Sequence, residues 1–411
     1  MAQTFHFDAD RLMGGALLLF AFALPLSRAL DTFFVILFIL YFLYRLFRRD
    51  TTIRTLFKEP LAWLIVAFVG YLTLSLAWSP DITNGLKYLR QYYWEWPALF
   101  GVTLYVIDHP DKARQAVTAF VGGMLISELL SYGMFFGLWQ IRGHGPEYPS
   151  PFMMHIDYSV YLAVTAMILL NRLFSDRYSA KEKWLMLFFF LTITGNLFIN
   201  KGRTGQVAFL AAMFVAFFLH YRLTLKNLLK ISFLTVMLFG TAYALVPPFQ
   251  ERVHQAVEDL RKLDRSDFHS SLGLRAAQYI VAKELVADHP LLGSGVGGRN
   301  TEVAARLKKE SYGFSPFVQE FLATHHAHSQ YLQTLIEGGA VAFLIMLAML
   351  WRLGRLKLDD SELHELKTLL LTIFIVGFLT EPLWQKQFSN TLFILMTGLF
   401  VGHRLAQRSR P

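Results

Sequence analysis

The 411-residue chain has no cysteine, which excludes disulfides and thiolate metal ligands. Charge is scarce as well: Asp, Glu, Lys and Arg make up 17% of residues, against roughly a quarter in soluble domains. No clear internal repeat, low-complexity tract or long polar linker divides the sequence, so residues 1–411 read as one integral domain. The first apolar stretch lacks a cleavage-like end and contains Pro25, so it is expected to stay as a span. The run Leu291-Leu292-Gly293-Ser294-Gly295-Val296-Gly297-Gly298 has no Gly-Lys-Ser/Thr ending, so it is a turn and not a phosphate-cradling P-loop.

Apolar residues are abundant instead, at 54% with 38 Phe. A bilayer core about 30 Å thick needs roughly 17–25 apolar residues per helical span. The fold class is therefore an all-α polytopic membrane protein with about twelve transmembrane helices. They are expected near 12–28, 30–47, 61–78, 88–107, 114–138, 153–172, 184–200, 206–222, 231–247, 329–351, 367–384 and 388–403. Trp78, Tyr92, Tyr93, Trp94 and Trp96 near predicted span ends fit an interfacial aromatic belt.

Basic residues concentrate in alternate connections, including Arg45, Arg48, Arg49, Arg54 and Lys58, then Arg172, Arg177, Lys181 and Lys183, then Arg352, Arg355 and Lys357, and the tail Arg404, Arg408 and Arg410. The positive-inside rule assigns these, and both termini, to the cytoplasm. The net charge of +9 follows from such anchors and is no signal for nucleic acid.

One polar excursion interrupts the pattern, the loop 248–328 between the ninth and tenth predicted spans, placed outside the cell membrane by the same rule. Pro247-Pro248 stops the preceding helix. Val253, Val257, Leu260 and Leu263 predict an amphipathic helix over 251–268, and a second helix is expected from Leu274 to Ala287.

Several residues in and beside this loop carry candidate chemistry. Arg203, in Asn200-Lys201-Gly202-Arg203-Thr204-Gly205, sits at an exterior helix junction where a cation is unusual. It is either a lipid-facing anchor or a ligand contact, with Lys201 beside it and two flanking glycines that would let a ligand approach the backbone. Arg275 follows Ser270-Ser271, either of which could cap a helix, and its guanidinium fork matches phosphate oxygens. Arg90 enters the fourth predicted span from the same side as a second-tier binding candidate.

His326 and His328 close the loop. An imidazole suits general-base work near neutrality. The pair could instead cap a helix start; sharing a metal is disfavoured, since the nearest carboxylate in sequence is Glu320 and no third ligand has zinc-like spacing. Glu337 and Glu381, near span boundaries, could mark an ion path.

The Gly-Arg junction, Leu272-Gly273-Leu274-Arg275, His289-Pro290-Leu291-Leu292-Gly293, His328-Ser329-Gln330-Tyr331-Leu332 and Glu337-Gly338-Gly339 together resemble the O-antigen ligase and polymerase superfamily. The sequence departs from that pattern at Ser329, where the family usually has Asn, and at Gly297-Gly298-Arg299-Asn300. The resemblance implies a glycosyltransferase of the bacterial inner membrane with its active site facing the periplasm. It would need no metal or other cofactor. Its donor would be an undecaprenyl-diphosphate-linked glycan, and for the ligase branch its acceptor would be lipid A–core. His328, Arg275 and Arg203 are then the expected catalytic residues, with His326, Arg90 and Lys201 binding substrate. A polymerase or protein glycan ligase shares the same chemistry. A transporter would instead require inverted repeats and charges at the membrane midplane.

Overall fold

The computed structural model describes residues 9–409; Arg410, counted above in the basic tail, lies outside them. Among the described residues every regular element is helical. The chain opens with α1 (Ala9–Ala23), α2 (Arg28–Phe47), α3 (Thr51–Leu56) and α4 (Pro60–Leu74), then α5 (Ile82–Tyr88), a π-helical turn (Leu89–Tyr93) and α6 (Pro97–Asp108). Next come α7 (Lys112–Phe135), α8 (His155–Phe174), α9 (Ala180–Ile199), α10 (Arg203–His220) and α11 (Leu225–Leu245). The loop contains α12 (Pro247–Asp264), α13 (Ser271–Asp288), α14 (Arg299–Lys309) and α15 (Pro316–Thr324). The chain closes with α16 (Gln330–Arg355), α17 (Ser361–Thr380) and α18 (Gln387–Ser409).

Nine of these helices, among the described residues, are long and apolar enough to cross a membrane. The protein is therefore polytopic. The remaining expected spans are helical but different in kind. The first is a short apolar helix, Leu12–Ala23. The fourth is broken, because the π-turn over Leu89–Tyr93 and Pro97 at the first position of α6 interrupt the ladder of hydrogen bonds. The last, α18, is not among the nine.

Local chemistry sets the boundaries. Ser179 and Glu182 form a reciprocal capping box on α9, and Thr224, Ser270, Ser315 and Ser329 cap α11, α13, α15 and α16. The core is aromatic. Trp384 meets Trp96 at 5.1 Å, Phe68 at 5.4 Å and Phe378 at 5.0 Å, all edge-on. Trp96 and Tyr93 are thus buried in the bundle and do not belong to the expected interfacial belt. By contrast α11 exposes Leu229, Phe233, Val236 and Met237, a surface suited to lipid.

Helices α2, α8 and α16 each run from the end that carries loop 248–328 to a basic end. There Arg45 pairs with Asp108 at 2.8 Å, buried Arg172 with Glu362 at 2.8 Å, and Arg352 with Glu59 at 2.6 Å. The bundle therefore separates a basic end from an end holding the candidate residues.

The glycine-rich turn ties the loop to the bundle. Ser294 and Gly295 donate backbone hydrogen bonds to Ile336 and Glu337 at 2.8 and 2.9 Å, and Ala340 donates to Pro290 at 2.9 Å. Gly293 and Gly339 adopt φ of +71° and +61° where the two backbones touch, and a Cβ on either would strike the other segment. Glu337, a candidate for an ion path by sequence, is buried and accepts from the Gly297 N–H at 3.0 Å and Gln385 at 3.4 Å.

Candidate active site

Arg203, Lys201 and Arg275, three residues singled out by sequence, line one cavity of about 430 Å³ together with Arg252 of α12 and His155. The amphipathic helix expected over 251–268 is α12, and it covers this cavity: Gln255 and Asp259 face Arg203 at 3.4 and 3.9 Å. Phe249 anchors α12 against Phe198 with ring centroids 5.0 Å apart. The first residues of α8, α10 and α13 (His155, Arg203 and Ser271) all border the space, so three helix N-termini converge on it. Four basic side chains face two carboxylates, Asp259 and Glu381, leaving an excess of positive charge. Such a cavity suits a polyanion.

The glycines flanking Arg203 serve packing and not ligand approach. A Cβ on Gly202 would strike His155 and Ser159, and one on Gly205 would strike Ser159. Small residues here let α10 close against α8, which fixes Arg203 at the cavity wall.

His326 and His328 meet a carboxylate from far along the chain. His328 Nδ1 lies 3.0 Å from Glu381 Oε1, and His326 Nε2 lies 3.8 Å from Oε2. Sequence spacing supplied no third group for this pair; Glu381, just past the end of α17, is that group. Arg275 and Lys386 approach the same carboxylate at 3.5 and 3.4 Å. Burial alone would raise the Glu381 carboxyl, but the His328 hydrogen bond and the neighbouring cations outweigh it and hold it at about 2. It is ionised at neutral pH.

The hydrogen-bond network sets the tautomers. The His328 backbone N–H donates to His326 Nδ1 at 3.3 Å, so that nitrogen is bare. Burial and then the adjacent His328 push His326 down to about 3, which keeps it neutral. His328 donates Nδ1–H to Glu381, which leaves Nε2 as its acceptor nitrogen. His328 is held at φ +46°, a left-handed conformation that a β-carbon makes costly and that typically persists at functional positions. Its ring stacks on Phe321 with centroids 5.8 Å apart and an interplanar angle of 2°.

Ligand atoms of His326, His328 and Glu381 lie within 4.8 Å of one another, close enough to share a cation. A dication there would enter beside Arg275 and Lys386, both already against the carboxylate. The donor set therefore fits a hydrogen-bonded imidazole–carboxylate relay better than a metal centre.

Arg299, which sequence reasoning noted only as a departure, is 3% exposed and supports the histidine segment. Its Nη1 donates to the carbonyls of Leu322, at 3.0 Å, and His325, capping the C-terminus of α15. Burial lowers this guanidinium to about 10, so it remains charged.

A second cavity, of about 500 Å³, opens on the other side of Lys386 and His326 and is lined further by Arg28, Arg142 and His144. Arg90 lies apart from both spaces, in a surface hollow with Thr83, Leu86 and Lys87. The structure thus brings together five of the six sequence candidates and leaves Arg90 separate.

Residues 187–347 match the protein family described as O-antigen ligase. Over that segment the chain is similar to the O-antigen ligase and polymerase superfamily. No curated protein matches it. The matched segment contains Arg203, Arg275, His326 and His328, whereas Glu381, Lys386, Arg28 and Arg142 lie outside it.

Proposed function

We propose that the protein is an O-antigen ligase of the bacterial inner membrane, transferring a glycan from undecaprenyl diphosphate to lipid A–core at the periplasmic face, with both termini in the cytoplasm. The observation that carries this reading is the His326–Glu381–His328 cluster, whose Glu381 lines the cationic cavity and whose His326 lines the second polar cavity, with His328 hydrogen-bonded to Glu381 between them. In the first cavity Arg203 and Arg275 hold the diphosphate, with Lys201 beside them. As the anomeric C–O bond breaks, negative charge grows on the leaving diphosphate. Cations fixed in advance stabilise that charge more than the ground state.

The acceptor hydroxyl is a poor nucleophile. His328 Nε2 takes its proton while Glu381 stabilises the imidazolium that forms, and a well-placed base contributes ~10²–10⁴-fold. His326, neutral and hydrogen-bonded to the His328 backbone, orients this base and borders the acceptor space. Direct attack inverts the anomeric centre. The energy is stored in the donor's diphosphate linkage, so no nucleotide or metal is required.

Alanine variants test the roles separately. Arg203→Ala and Arg275→Ala should abolish transfer and weaken donor binding in protein that still inserts, and Arg275→Lys should also be poor because an ammonium lacks the planar fork. His328→Ala should lose turnover with donor binding kept. Normal turnover by either arginine variant would sink the diphosphate assignment. Glycan lengthening on the lipid carrier would instead identify a polymerase.

A further inference from the structure

We propose that the second cavity is a binding site for an anionic sugar, in which Arg142 and Arg28 select an acceptor bearing a phosphate or carboxylate group. The proposal rests on the transfer reading above only in naming this cavity the acceptor's. Three basic side chains, Arg28, Arg142 and Lys386, face a single carboxylate, Asp157. Asp157 is itself buried and already accepts hydrogen bonds from Ser389 N–H and Oγ, at 3.3 and 2.5 Å. Among the described residues neither Arg28 nor Arg142 has a carboxylate at ion-pair distance; Arg28 Nε donates to Gln387 and Arg142 Nη1 to the Phe152 carbonyl at 2.8 Å. Both therefore keep donors free for an anion.

The backbone beneath Arg142 gives a second, independent observation. Ile141 and His144 exchange both backbone hydrogen bonds at 3.0 Å, closing a two-residue turn over Arg142-Gly143. Both turn residues have positive φ, +53° and +76°, as a type I′ turn demands. Asn, Asp or Gly normally fills the first position because a larger side chain is strained there. An arginine kept at that position, at the wall of a cavity that also holds Arg28, points to a ligand that repays the strain. The cavity also contains His326, which contacts the catalytic carboxylate. A sugar held by Arg142 and Arg28 would present its hydroxyl to the same relay that activates it.

Arg142→Asn makes a clean test, since asparagine suits the turn while the guanidinium is lost. The full chain in detergent is titrated with lipid A–core, with the same material after phosphatase, and with a carboxyl-reduced form, both for direct binding and for transfer. Arg142→Asn and Arg28→Gln should each raise the acceptor Kd and KM about ten- to hundredfold, the range expected for hydrogen bonds to a charged group. Melting temperature and donor KM should hold. The chemically treated acceptor that lacks the recognised anion should bind wild type as weakly as the variants, which tells phosphate from carboxylate. An unchanged acceptor Kd in both variants, or an equal loss for every form of acceptor, overturns the proposal. Binding through Arg142 without transfer would support this site while refuting the ligase reading; transfer indifferent to Arg142 would do the reverse.

Discussion

Replacing Glu381 with glutamine removes one charge from the centre of the site while keeping its shape. Glu381 Oε1 lies 3.0 Å from His328 Nδ1. When His328 accepts a proton, an imidazolium forms against that oxygen. At 3.0 Å and an effective dielectric near 20, the attraction has an upper value of about 5.5 kcal/mol. The net worth of a charged hydrogen bond is smaller, about 1.5–3 kcal/mol. Arg275 at 3.5 Å and Lys386 at 3.4 Å already draw on the same carboxylate, so the full Coulomb value does not apply. A loss of about 2–3 kcal/mol of transition-state stabilisation lowers kcat roughly 30- to 150-fold.

The same substitution leaves Arg275 and Lys386 without their counter-charge, so a diphosphate should bind at least as tightly as before. The assay is steady-state transfer with purified protein, alongside direct donor titration. A kcat within threefold of wild type would refute the relay. So would loss of donor binding at unchanged kcat, because that places Glu381 in binding and not in proton transfer.

Arg299→Ala should leave the buried carbonyl of Leu322 without its donor, at about 1–3 kcal/mol, and remove the part-buried bond to the His325 carbonyl as well. The melting temperature should fall by several degrees and transfer should fall with it, whereas an unaltered melting curve would show that the α15 cap is dispensable. Stability should also depend on pH through His326. Its folded value is near 3 and its ordinary value 6.5, so as pH drops below 6.5 the unfolded chain takes up a proton that the fold refuses. Stability then declines by up to ~1.4 kcal/mol per pH unit. Melting temperatures at pH 7.5, 6 and 5 should show this slope in wild type and a flatter one in His326→Asn; equal slopes would contradict the neutral assignment.

The residues that face the cavities were legible where chemistry and position both stood out. Arg203 was conspicuous as a cation at the wrong end of a span, Arg275 followed a serine cap, and His326 and His328 closed the polar loop. Glu381 was visible only as a boundary carboxylate. Its meeting with His328 joins groups 53 residues apart through the packing of α17 beside α16, and no periodicity encodes that contact. Arg90 is the converse case, a candidate by sequence that the fold places apart from the other five. It lies in a π-helical turn and lines a separate hollow, which no periodicity would reveal.

Most apolar runs translated directly into helices because 3.6-residue periodicity is not needed when lipid surrounds the bundle. The fourth run did not, since a chain of apolar residues does not reveal that Pro97 and the π-turn break it. Helices α14 and α15 were missed although signals existed: Val303 and Leu307 lie one turn apart and are buried, and Ser315-Pro316 is an N-cap followed by proline at the first position.

The most direct test of the central claim is transfer by purified protein in detergent, supplied with undecaprenyl-diphosphate glycan and lipid A–core, with EDTA present and no nucleotide. The ligase account predicts glycan-capped lipid A–core at a rate unchanged by the chelator. Competent substrates that yield no capped product, or a rate that collapses with EDTA and returns with a divalent cation, would contradict it.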